Sequence, residues 1–211
     1  MRFQAEFEAE VARQWDGQGD GAHDLGHLRR VWANCQKIAA TEPGADLEIL
    51  CAAAFFHDLV NLPKTSPDRA AASRLSATAA CDYLAGTGFA AAKISAVAHA
   101  IAAHSFSAGI VPETAEAKIL QDADRLEALG AIGLARMFHV AGSTGGGLFD
   151  PTDPLAQHRR LDDRLYALDH LETKLFGLAA SMQTATGRHM ARDRSDWLRG
   201  FRTQLLSELG P

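Results

Sequence analysis

The residues able to do chemistry in this chain gather at three places. The apolar run Ala52-Ala53-Ala54-Phe55-Phe56 ends on His57-Asp58, an imidazole and a carboxylate side by side. Residues 23–27 carry His23 and His27, and residues 122–124 carry Asp122 and Asp124. Burying such groups unpaired is expensive, and a metal ion that takes them as ligands removes the cost. His27, His57, Asp58 and Asp124 form the candidate ligand set. Two imidazoles and two carboxylates suit a first-row divalent ion. Four protein ligands leave positions open on an octahedral ion for water and a substrate oxygen, as hydrolysis requires. The same residues also suit helix caps and hydrogen-bonded core polar groups, and a second His-Asp pair, His23-Asp24, stands in the chain.

These side chains need rigid elements behind them, and the spacing of apolar residues supplies helices. Phe3, Phe7, Val11 and Ala12 make a stripe over 3–15. Gly17, Gly19 and Gly21 break it. Asp24 is placed to cap a second helix whose inner side holds Leu28, Val31, Trp32, Cys35 and Ile38. His27 lies about 40° from Val31 on the helical wheel, so it points inward. A third helix over 46–58 is apolar around most of its circumference, as a central helix is. Leu62-Pro63 stops it. Helices over 67–84, with Leu75, Ala79 and Tyr83 as its stripe, and over 90–104, with Ile94, Val97, Ala98 and Ile101 inside, come next. Residues 113–137 read as helix with a break near Gly130 and Gly133, and Leu120 and Ala128 place Asp124 on its apolar face. Residues 140–153, with Gly145 to Gly147, read as a loop. Helix resumes from Leu155, where Leu161, Leu165, Leu168, Leu171, Leu175 and Leu178 recur at spacings of three and four, and a last helix covers 184–208. With no strand set and no internal repeat, the expected architecture is all-α. The expected organisation is one domain over 1–211, with a core of about 22–140 and C-terminal helices of about 155–208 packing on it.

Composition narrows the function classes. Apolar residues make up 47% of the 211 and charged residues 22%, which reads as a folded globular chain. The formal net charge of −5 gives no support for non-specific nucleic-acid binding. The three cysteines, Cys35, Cys51 and Cys81, lack metal-site spacing and sit in helix-like apolar contexts, so they read as buried free thiols in a reducing compartment. No stretch is long enough to span a membrane, and the N-terminus does not read as a secretion signal. The expectation is a cytoplasmic protein with no nucleic-acid or membrane partner.

The order His … His-Asp … Asp resembles the HD superfamily of metal-dependent phosphohydrolases. The resemblance runs along nearly the whole chain to one branch of HD hydrolases. It rests on His23 to Val31, Phe56-His57-Asp58, His104-Ser105-Phe106, the long run Glu116 to Gly133 around Ala123-Asp124-Arg125-Leu126, and His170 with Lys174-Leu175. It implies an HD-type helical bundle around a divalent metal held by His27, His57, Asp58 and Asp124. The Arg30-Val31 pair selects His27 over His23, which is left to flank the mouth of the site. The ion expected is a single Mn, Mg, Fe, Co, Ni or Zn. His99 and His104 are five residues apart, about 140° on a helix, so they do not face one point. His104 is assigned to the substrate phosphate or to contact with a metal ligand, in preference to the metal itself, and His99 to structure. The activity implied is cleavage of a phosphoester or phosphoanhydride bond of a nucleotide, with (deoxy)nucleoside triphosphate pyrophosphohydrolase as the sharper form and a phosphatase for a small non-nucleotide phosphomonoester as the alternative. The catalytic candidates are Asp58, Asp122, Lys64 and His104. His23, Arg30, Lys64, Arg69, Arg125 and Lys174 are the candidates for the phosphate-bearing substrate, with Arg194 matching a further charged position. Phe106, Phe138 and Phe149 are candidate aromatic walls. Where related nucleotidases carry an acid after the His-Asp pair, this chain has Leu59-Val60-Asn61, which leaves the general base unassigned. The leucine stripe at 161–178 is read as core or as a homodimer surface.

Overall fold

The computed structural model of the chain describes residues 3–15, 24–62 and 68–209, apart from the side chains of Arg69 and Phe106. The described residues are helical, with a single isolated bridge between Gly147 and Tyr166 and no strand. None of the helices is long and apolar enough to cross a membrane. The chain divides into two compact units, Met1–Asp124 and Arg125–Pro211.

The first unit is built on α1 (Gln4–Trp15), α2 (Leu25–Ala39), α3 (Leu47–Phe56), α4 (Ala72–Ala85), α5 (Ala91–His104) and α6 (Ala115–Arg125), the last of which ends at the boundary. Helix α3 touches α1, α2, α4 and α5. Every residue from Ile49 to Phe56 is buried, which a helix apolar on all sides requires. Phe7 of α1 sets its ring 5.0 Å from that of Phe56, and Phe3 and Phe89 extend the cluster. Burial of each such ring contributes about 1.5–3 kcal/mol. Asp46 caps α3 by accepting from the N–H groups of Glu48 and Ile49.

Helix α4 departs from its expected stripe. Its buried face is Ser73, Ser76, Ala77, Ala80 and Leu84, while Leu75 is exposed. The inward hydroxyls explain the choice. Ser73 Oγ donates to Ala102 O at 3.1 Å, and Ser76 Oγ accepts from Val60 N at 3.0 Å. Main-chain groups that would otherwise be buried without partners are thereby satisfied, which outweighs one exposed leucine.

The second unit contains α7 (Gly130–Ser143), α8 (Asp169–Thr173) and α9 (Ala185–Glu208), with 3-10 turns at Leu126–Ala128 and Leu175–Ser181. Helix α9 packs on α7 and on the second of these turns. The expected break lies at 126–129. Gly130 follows it with φ +70, a left-handed conformation that glycine adopts freely. A Cβ on Gly133 would stand 2.2 Å from the Ala128 carbonyl, so the close approach needs glycine there too.

The expected helix from Leu155 is overturned. Between Leu155 and α9 only Asp169–Thr173 is α-helical, and Leu161 and Leu165 are exposed while Leu168, Leu171 and Leu175 are buried. Aspartates capture the N–H groups a helix would use. Asp150 Oδ1 accepts from Thr152 N and Asp153 N, Asp153 accepts from Gln157 N and His158 N, and Asp169 accepts from Asp162 N. Arg159 closes the segment with two bonds to the buried Asp169 carboxylate, at 2.6 and 2.8 Å.

Of the cysteines, Cys35 and Cys51 are buried and Cys81 is half-buried, and all three are free. Burial pushes the Cys51 thiol up to about 12 and raises Cys35 further.

Candidate metal centre

His57 is the C-cap of α3 and is fully buried. Its Nδ1 lies 2.9 Å from Ala54 O. A carbonyl oxygen only accepts, so Nδ1 carries the proton and Nε2 presents a lone pair. That Nε2 has no hydrogen-bond partner among the described residues. It faces Asp58 Oδ2 at 3.5 Å and Asp124 Oδ1 at 3.8 Å. Burial, the largest influence, holds the imidazole pKa down to about 4, so the lone pair persists at neutral pH.

His27 reaches the same point from the first turn of α2. Asp24 caps that helix, its Oδ1 accepting from the His27 N–H at 2.7 Å. His27 Nε2 stands 3.5 Å from Asp124 Oδ1 and 3.9 Å from Asp58 Oδ2. Burial alone would raise the Asp124 pKa, but His57, His27 and His104 outweigh it and hold the carboxyl below its usual range.

His104, the last residue of α5, repeats the device of His57. Its Nδ1 lies 2.6 Å from Ile101 O, and its Nε2 is 3.6 Å from Asp58 Oδ1. Burial works against a charge on this ring, and the Asp58 carboxylate more than offsets it, so its pKa is raised. The two Asp58 oxygens therefore face different imidazoles: Oδ2 is turned to His57 and His27, Oδ1 to His104.

These atoms fit a divalent ion. His27, His57 and Asp124 offer one ligand atom each within 4.8 Å of one another, and so do His57, Asp58 and His104. Donors about 2.1 Å from an octahedral ion lie about 3.0 Å apart when adjacent and about 4.2 Å when opposite, a range that brackets the 3.5 to 3.9 Å found here. Three helix C-termini converge here: His57-Asp58 follow α3, His104 ends α5, and Asp124 is the penultimate residue of α6. The partial negative charge of each end favours a cation. The imidazoles are sealed, whereas the Asp58 and Asp124 side chains are 19% and 30% exposed, so solvent reaches the centre from the carboxylate side.

The other candidates are distributed as follows. Asp122 is fully buried and stands outside both ligand groups. His99 is half-buried and accepts from Glu113 N at 3.1 Å, away from the His104 cluster. Arg30 is half-buried on α2, and an added Cβ on Gly26 would meet both its Nη1 and the Asp24 carboxylate. Arg125 Nη1 donates to Ser181 O at 2.7 Å, Arg194 Nη1 donates to Leu126 O at 2.5 Å, and Lys174 is exposed; all three belong to the second unit. There too, Phe138 packs edge-on against Phe201, and Phe149 is half-buried. His23 and Lys64, with the side chains of Arg69 and Phe106, lie outside the described residues.

The residues that brace the site escaped the sequence reading. Trp15 Nε1 donates to Leu59 O, and Ser76 Oγ holds Val60, so the turn after Asp58 is pinned from two sides. Asn34 donates to Ala123 O, and Gln121 donates to Ala103 O. The available signal was a polar residue at an inward helical position: Asn34 falls two turns after His27, and Gln121 three residues before Asp124.

Comparison with known proteins places this geometry. The HD domain family model matches residues 24–129. The chain is 34% identical over 191 residues to Bacillus subtilis YpgQ, an uncharacterized protein, covering 89% of this chain and 84% of that one. The crystal structure of YpgQ in complex with ADP superposes with a TM-score of 0.75 at 32% identity, over 98% of this chain and 95% of that one. An HD-superfamily hydrolase from Bacillus thuringiensis gives a TM-score of 0.75 at 28% identity, over 98% and 96% of the two chains. The match spans α2 to the 126–129 turn, the stretch that carries His27, His57, Asp58, His104 and Asp124, and on that ground the chain belongs to the HD domain family of metal-dependent phosphohydrolases.

Proposed function

We propose that this chain hydrolyses a phosphoanhydride or phosphoester bond of a nucleotide, and in its sharper form that it is a (deoxy)nucleoside triphosphate pyrophosphohydrolase. The observation that carries the nucleotide is the ADP complex of YpgQ, a relative that this chain matches over 98% of its length. His27, His57, Asp58 and Asp124 hold the ion. A divalent ion in such a centre supplies Lewis-acid activation of water and of a phosphoryl oxygen. The rest falls to the chain. His57 and His104 are locked in orientation through Nδ1, so the centre is preorganised. The partly exposed edges of Asp58 and Asp124 mark the side from which phosphate enters. Arg30, close in sequence to His27, is the described cation we assign to the substrate phosphates; Lys64, Arg69 and His23 belong to the same proposed set. Asp122, two residues before Asp124 on α6, is assigned to orientation or proton transfer.

Product analysis tests this reading. Purified protein with Mn²⁺ is given ribo- and deoxyribonucleoside mono-, di- and triphosphates beside His57→Ala and Asp124→Ala. We expect one phosphate bond to be cleaved by the parent and by neither variant, with pyrophosphate as the released product. Release of inorganic phosphate alone would exclude the pyrophosphohydrolase form. Inert nucleotides alongside a hydrolysed small phosphomonoester would move the activity to the alternative phosphatase.

A further inference from the structure

His104 on α5 and Asp124 on α6 sit at helix ends, where the last four carbonyls have no intrahelical partner. In α5 three successive carbonyls of that turn are taken up by side chains. Ile101 O accepts from His104 Nδ1 at 2.6 Å, Ala102 O from Ser73 Oγ at 3.1 Å, and Ala103 O from Gln121 Nε2 at 2.8 Å. The third bond comes from the helix that carries Asp124. Gln121 is 3% exposed and lies on α6, three residues before Asp124, and it grips the residue immediately before His104. A second amide repeats the arrangement at the end of α6. Asn34, also 3% exposed, lies on α2 two turns after His27, and its Nδ2 is 3.4 Å from the carbonyl of Ala123, which precedes Asp124. Each amide thus runs from a helix that carries one site histidine or aspartate to the main chain just before the next.

We propose that Gln121 is a positioning residue of the metal centre, tying the Asp124 helix to the His104 turn so that both face Asp58 in fixed register, with Asn34 as the weaker second link to the His27 helix. The inference rests on the metal-centre reading. An apolar side chain of equal length at 121 would fill the space but leave Ala103 O without this donor, and the α5 end could then drift relative to α6. Buried amides suit this role chemically. They carry no charge to compete with the ion, and their bonds are directional, whereas an aliphatic contact allows sliding. Partners that orient ligands in this way typically change metal affinity or activity about 10–100-fold when lost.

The test is Co²⁺ binding to the full chain, followed by visible absorption, for the parent, Gln121→Met, Gln121→Glu and the control Ile119→Val, a fully buried position on the same helix. Circular dichroism and melting temperature report folding, and two substitutions of different character guard against one that fails to fold. We expect both Gln121 variants to bind Co²⁺ about 10-fold or more weakly with an altered band shape, while Ile119→Val loses melting temperature but keeps parental affinity and spectrum. Parental affinity and spectrum in either folded Gln121 variant would overturn the proposal and leave the metal centre standing. An equal loss in Ile119→Val would reduce Gln121 to a general stabiliser and also overturn it. A parent chain that binds no Co²⁺ would overturn the metal centre itself, and the positioning role with it.

Discussion

An imidazole whose Nδ1 proton is committed to a helix carbonyl has one direction left in which to interact, and at His57 that direction ends on two carboxylates. Lone pair facing lone pair is repulsive, a cost that a bound cation removes. The consequence is a stability linked to the ion. At a concentration 100 times its dissociation constant, an ion stabilises the fold by about 2.7 kcal/mol. For a chain of this size we expect Mn²⁺ to raise the melting temperature by about 5–10 °C, and a chelator to reverse it. Asp124→Asn keeps the shape of the side chain but removes its charge. We expect that variant to melt near the parental metal-free temperature and to gain almost nothing from Mn²⁺ in a thermal-shift assay. A full Mn²⁺ response in Asp124→Asn would show that Asp124 is not a ligand.

Each proposed ligand depends on the element that carries it, and α2 gives the plainest case. Asp24 Oδ1 accepts from the N–H of His27 itself, so the cap and the proposed ligand are one structure. Asp24→Ala should cost about 1 kcal/mol, as caps do, and should also weaken Mn²⁺ binding. Thr184 caps α9 through Gly187 N, in the second unit, which holds none of the proposed ligands. Thr184→Ala should lose similar stability with unchanged Mn²⁺ affinity, and isothermal titration of the two variants makes the comparison. The α2 cap was legible in the sequence, as was the inward turn of His27, because both follow from local spacing. So was the central place of α3, which is apolar on every side. The face of α4 was not, because Leu75 and Ser76 exchange places only once the main-chain needs of Val60 and Ala102 are known. Nor was the course of 155–168, where a leucine period of three and four suggests helix but aspartate side chains take the amides. The part His104 plays at the cluster came from resemblance, and its distance to Asp58 only from the fold. The aspartate turns also set a pH response. Amides of Asp153 and Thr152 hold the Asp150 carboxyl down to about 2. A depressed folded pKa means that its contribution is complete above the ordinary carboxylate value of about 3.9 and is lost as pH falls through about 2. We expect amide exchange in 150–158 to accelerate over that window, and Asp150→Asn, which cannot titrate, to flatten the response.

At the scale of the whole molecule, the His/Asp cluster and the boundary between the two compact units lie next to each other in the sequence. His27, His57, Asp58, His104 and Asp124 belong to the first unit, and Arg125 opens the second. Domain boundaries ordinarily fall in exposed, flexible linkers rich in proline, glycine and polar residues. This one falls inside α6, which runs unbroken from Ala115 to Arg125 and passes at once into the 3-10 turn Leu126–Ala128. Immediately beyond Asp124, the chain is fastened within its own unit by Arg125 to Ser181 and by Arg194 to Leu126 O. A ligand on a continuous helix cannot lose its order without disturbing the turn that follows, so unfolding should not stop at residue 124. We therefore expect a single calorimetric transition, with the calorimetric and van't Hoff enthalpies in agreement and with the whole peak moving up on addition of Mn²⁺. Arg194→Met removes the bond to Leu126 O from the second unit. Under this reading it should lower the same single peak, by the few degrees that the loss of about 1 kcal/mol produces in a chain this long. Two peaks, of which only one responds to Mn²⁺ and only the other to Arg194→Met, would show instead that the chain is two domains whose border happens to follow directly on a metal ligand.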